Sequence, residues 1–182
     1  MPRTKTGENM ADENLKPEPM KPLSALVAVF IILAVVILWL IIGAQLFSIV
    51  SFFASFLFLW YWASVEHAVF AQWPQSLCGA LLGLILAWQA RELPVLLGSP
   101  GTFGALGLIA LAIWFQLVGW LPLICNRSAM LFLTVLAAPA LLSKLDLAET
   151  ALAIALGAIY GAGIFKIVGL IASKRGVEAQ SR

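Results

Sequence analysis

LSALVAVFIILAVVILWLII, Leu23–Ile42, is a run of 20 residues whose single polar member is Ser24. At about 1.5 Å of rise per residue such a helix is about 30 Å long, one hydrocarbon thickness. The apolar character continues almost unbroken to Ser64. One helix over all of it would measure about 63 Å, twice what a bilayer accommodates. The chain must therefore reverse, and Gly43-Ala44-Gln45 is the expected place, joining two antiparallel neighbours.

Composition extends this reading to the whole chain. Of 182 residues, 62% are hydrophobic and 11% charged, and the mean hydropathy is +1.00. Soluble domains carry about 25% charged residues because their surface must be wetted. So few charges imply that the main solvent is lipid. The net charge of +2 is small and concentrated towards the ends, which argues against a nucleic-acid partner. The polar, Pro-containing segment 1–22 has too little apolar surface to order itself and is expected to be a disordered cytoplasmic tail. The run after it is too long for a signal-peptide core and is taken as a retained first span. Cys78 and Cys125 lack metal-ligand spacing and read as small apolar residues.

Further spans follow from the same logic. A third begins at Pro74, suited to a first helical turn, and is expected to stop at Arg91 or Glu92 before Pro94. LLGSPGTFG, residues 96–104, reads as a turn, and a fourth span covers Phe103–Leu123. Residues 128–142, SAMLFLTVLAAPALL, are short and contain Pro139, so they form either a crossing or a re-entrant segment. The last span is Leu147–Ala172, followed by a basic tail, residues 173–182. The expected fold is an all-α polytopic bundle over residues 23–172, with about six spans or, alternatively, five and one re-entrant segment. Arg3, Lys5, Lys16 and Lys21 at one end, with Lys174, Arg175 and Arg182 at the other, place both termini in the cytoplasm. An even number of crossings then follows.

Within lipid, helices are held together by close approach through small residues. Gly79 and Gly83 recur at helical spacing, as do Gly157 and Gly161, and these mark packing faces or, alternatively, a Gly-lined solute path. GALLGLILAW, residues 79–88, and GALGLIALAIW, residues 104–114, look alike, either as an internal repeat or through shared composition.

Ionisable groups near the spans are the candidates for function. Lys166 is placed to snorkel, Arg91-Glu92 to end a span at the interface, and Arg127 to anchor a connection. Glu66 and the sole histidine, His67, lie among Trp60, Tyr61, Trp62 and Trp73, residues typical of an interfacial belt. The stretch Leu46–Trp73 has no Gly or Pro, so helix could persist through it, stacking Glu66 on Trp62. The pair then either marks a helix surfacing into water or lines the mouth of a solute path. No HExxH, no GxSxG, no phosphate-cradling loop and no second histidine occur, so neither an enzyme nor a cofactor or metal site is expected.

The Gly79/Gly83/Trp88 helix, the 128–142 segment and GAIYGAG (residues 157–163) before a basic tail resemble the YcdZ-like family of small bacterial inner-membrane proteins. The resemblance covers residues 46–172; the longer polar N-terminal tail and WYWASVEH, residues 60–67, depart from it. It implies an inner-membrane location and a compact multi-span bundle, and supplies no functional residues. Two functions fit: a small-solute channel or permease working as a homo-oligomer, or an accessory subunit bound to a larger membrane partner.

Overall fold

A computed structural model describes residues 22–180, and every regular element among them is helical. The segment 1–22, apart from Pro22, lies outside the described residues, as do residues 181–182. The elements are α1 (Pro22–Phe47), α2 (Phe52–Ser64), a 3₁₀ turn (Phe70–Gln72), α3 (Trp73–Leu97), α4 (Ser99–Val118), α5 (Arg127–Leu136), α6 (Pro139–Leu142) and α7 (Leu147–Gln180). Helices α1, α3, α4 and α7 are long and apolar enough to cross a membrane; α2 and α5 are shorter apolar helices. At 13 and 10 residues, these two reach only about 20 and 15 Å.

The chain divides at Leu38/Trp39 into two units. The described part of the first is the N-terminal stretch of α1, whose apolar side chains, including Leu23, Leu26, Phe30 and Ile31, are exposed. The second unit is a helical bundle.

In that bundle α3 is the hub, packing most extensively on α5 and also on α4 and α7, while α2 packs on α7. The α3–α5 pair is parallel: Gly79 abuts Asn126 and Gly83 abuts Phe132. So is α2–α7, where Gly157 meets Ser55 and Gly161 meets Leu59. A Cβ on Gly83 would collide with the Ala129 carbonyl oxygen and stand 2.7 Å from Phe132 Cβ. One on Gly157 would collide with Ser55 Cβ. At Gly83 and Gly157 the backbone of another helix comes too close for a side chain, while at Gly79 and Gly161 the nearest atoms are the ends of the Asn126 and Leu59 side chains. The core between these helices is Phe58, Trp62, Leu84, Phe132, Leu136 and Ile154, each at most 1% exposed.

Element ends differ from the sequence reading in five places. Helix α1 does not turn at Gly43-Ala44-Gln45; it continues to Phe47 and reverses over 48–51. Gly43 instead admits the Phe52 ring, and its carbonyl accepts from the Ile49 amide at 3.0 Å. Helix α2 does not persist toward Pro74. It stops at Ser64, and His67 and Ala68 adopt left-handed φ values of 51° and 56°. The chain end folds back on itself: the Ala68 amide donates to the Trp62 carbonyl at 2.9 Å, and Trp62 Nε1 donates to the Val69 carbonyl at 3.1 Å.

Helix α3 runs past Arg91-Glu92 and through Pro94 to Leu97. The expected loop at 96–104 shrinks to one residue, Gly98, with φ 64° and ψ −138°, a conformation open to glycine alone. Helix α4 ends at Val118 rather than Leu123, because Gly119 (φ 73°) closes it. Its amide and that of Trp120 donate back to the Gln116 and Phe115 carbonyls, the paired bonds of a Schellman cap. Helix α7 continues past Ala172 to Gln180, running through Gly176.

Candidate functional site

The alternating directions of the helices bring four helix ends together. Tyr61 and Glu66 from the end of α2, Gln75 and Ser76 from the start of α3, Gln116 from the end of α4 and Arg127 from the start of α5 line a pocket of about 400 Å³. Each end is there for a local reason. The Val65 and Glu66 amides both donate to the Tyr61 carbonyl, and in this end turn Glu66 Oε1 accepts the Tyr61 hydroxyl at 2.7 Å. The Schellman cap stops α4 one turn early and leaves Gln116 at the rim.

Asn126 fixes the start of α5. Its Oδ1 accepts the Ala129 amide at 3.2 Å, an N-cap, and its Nδ2 donates to the Gln75 carbonyl on α3 at 2.9 Å. Ser128 Oγ donates to the Ser76 carbonyl at 2.7 Å. These contacts occupy the carbonyls of α3's first turns and seat Arg127 at the pocket wall. The Tyr61 hydroxyl is the meeting point: it donates to Glu66, while the Arg127 charge and the Ser128 amide act on it from α5.

Glu66 and Arg127 nonetheless make no ion pair with each other; among the described residues the one ion pair is Arg91–Glu92, at 2.7 Å. Gln116 Oε1 is buried without a hydrogen-bond partner. Cys125 also lines the pocket, and burial raises its thiol pKa, so it is protonated at neutral pH. The pocket thus holds one negative and one positive side chain, a ring of amides, and unfilled acceptor positions.

The sequence-marked pair Glu66-His67 separates here. Glu66 lines the pocket, whereas His67 is exposed and does not. Glu66 is paired with Tyr61, five residues back, and not stacked on Trp62. Sequence reasoning took Arg127 as an anchor and gave Gln75, Gln116 and Asn126 no site role. The one local signal was the N-cap pattern at Asn126, which fixes a helix start but not what faces it.

The opposite end of the bundle carries a different polar cluster. Glu149 Oε1 accepts the Val50 and Ser51 amides, both at 2.7 Å, and Oε2 accepts Ser51 Oγ at 2.5 Å. A carboxylate from α7 therefore caps α2, whose own N-cap side chain makes no capping bond. Asp146 Oδ1 caps α7 by accepting the Glu149 amide at 2.7 Å. Arg91 Nη1 donates to the Leu142 and Leu145 carbonyls at 3.0 and 2.7 Å, tying the α6 segment to α3. The Glu149 and Asp146 carboxylates and the Arg91 guanidinium here hold helix ends, while Thr150 Oγ1 is buried without a hydrogen-bond partner. Among the described residues no group of His, Cys, Asp and Glu is arranged to hold a metal ion.

Comparison with family models, with curated proteins and with solved structures finds no match to this chain.

Proposed function

We propose that the chain is a multi-pass protein of the bacterial inner membrane that carries a small polar solute, with the pocket as its binding site. The observation that supports this is a polar pocket at one end of an otherwise apolar bundle, backed by a packed core. Lipid-facing surface needs no such pocket, and helix-end capping does not consume Glu66, Arg127 or Gln116. The closed core of Phe58, Trp62, Leu84, Phe132 and Leu136 favours a carrier over a standing open channel. Helix α7 starts at the opposite end and runs towards the pocket end, and the positive-inside tendency of its basic tail supports a pocket that opens to the cytoplasm.

The second reading, a non-catalytic accessory subunit, is favoured by the first unit, whose helix exposes Leu23, Leu26, Phe30 and Ile31 and could meet a partner's span. Uptake into proteoliposomes separates the two. A carrier gives saturable, time-dependent accumulation of a labelled small neutral or zwitterionic solute. Folded, reconstituted protein that accumulates no such solute, and that co-purifies with a second membrane protein in gentle detergent, sinks the carrier reading.

A further inference from the structure

We infer that the pocket selects a net-neutral zwitterion, with an ammonium group at Glu66 and a carboxylate or phosphate at Arg127. The inference rests on the reading of this pocket as a binding site. An ionised carboxylate offers about four acceptor positions and a guanidinium five donors. Glu66 has one of its positions filled, by Tyr61. Among the described residues Arg127 forms no ion pair.

Both charges line the same cavity, and no ion pair joins them across it. Arg127 is exposed and Glu66 half-buried, and a ligand of single charge would pair with one while setting a like charge beside the other. A zwitterion satisfies both. The guanidinium's planar fork matches a carboxylate or phosphate in two bonds. The buried, unpartnered Gln116 Oε1 asks for one more N–H donor, which an ammonium group can supply. A cavity of about 400 Å³ suits a molecule of this kind. Two sources share this chemistry: a free amino acid and the headgroup of phosphatidylethanolamine.

The test is ligand-dependent thermal stability of the full chain in nanodiscs of phosphatidylglycerol, with L-alanine, ethylamine and propionate at equal concentration. L-Alanine is expected to raise the melting temperature and each half-molecule to leave it unchanged. Glu66→Gln and Arg127→Gln should each weaken the L-alanine response about tenfold, the loss of one charge-assisted contact. They should also reverse selectivity: Glu66→Gln should respond to propionate and Arg127→Gln to ethylamine.

Repeating the titration in phosphatidylethanolamine discs identifies the source. A lost L-alanine response there means that the headgroup occupies the pocket; a retained one means a free solute. A response to ethylamine or propionate equal to that of L-alanine overturns the inference. So does an unchanged response in both variants, or no response in folded protein. Uptake that is insensitive to both variants would leave the carrier reading standing without this site. Binding of L-alanine without uptake would leave the site standing and remove the carrier.

Discussion

GALLGLILAW on α3 and GALGLIALAIW on α4 are close in sequence and opposite in use. On α3, Cβ atoms at Gly79 and Gly83 would run into Asn126 and into the backbone of α5. On α4, one at Gly107 would meet nothing within 4 Å, and one at Gly104 only Leu93 Cδ2 at 3.7 Å. Leu106, Leu108, Leu111 and Trp114 around them are exposed. The same small-residue pattern thus builds a seam on one helix and faces the surroundings on the next. The difference lies in whether a parallel partner helix is pinned alongside. Asn126 and Ser128 pin α5 to the carbonyls of α3; the described hydrogen bonds give α4's outward face nothing comparable.

This contrast is open to direct attack. Gly83→Leu should have the largest effect, a loss of about 3 kcal/mol or outright misfolding, because the obstacle is α5 backbone that cannot rotate away. Chemical or thermal unfolding in detergent would show it, and a wild-type midpoint would break the seam. Glu149→Ala should cost about 2 kcal/mol by stranding the Val50 and Ser51 amides. Gln at the same position, retaining one acceptor, should recover part of that.

Gly79→Ala and Asn126→Ala should each cost about 1 kcal/mol, since the first displaces the cap that the second removes. Their double variant should cost less than the sum, because the collision disappears with the amide. Simple additivity would show that Gly79 and Asn126 do not share one contact. Gly107→Leu should change stability by less than about 0.5 kcal/mol. A large loss there would reveal a hidden partner for α4 and erase the contrast with α3.

The helical fold was legible because long apolar runs such as Leu23–Ile42 have the length and composition of helices that can cross a membrane. Spacing marked Gly79, Gly83, Gly157 and Gly161, but the same spacing gave no means of setting Gly104 and Gly107 apart. Helix ends were read less well. The reversal after α1 depends on Glu149, almost a hundred residues away in sequence, feeding acceptors to 50–51. Pro94 lies inside α3 only three residues before its end, so the missing amide and the ring's clash with the carbonyl four residues back fall where the helix is about to stop. The site was half visible: Glu66 stood out as a charge beside aromatics. Arg127, Gln116 and Gln75 come from three other helix ends, and no local pattern announces that those ends converge.

The central claim is an apolar bundle solvated by lipid, carrying a polar pocket wetted at one end. Nitroxide labels at Leu108→Cys and Arg127→Cys, with both native cysteines replaced by serine, test it through collision with oxygen and with a water-soluble nickel complex. Leu108 is 46% exposed midway along α4, and its label should be reached by oxygen and shielded from nickel. The label at 127, on the pocket wall, should show the reverse. Strong nickel access at 108, or nickel exclusion at 127, would contradict the account.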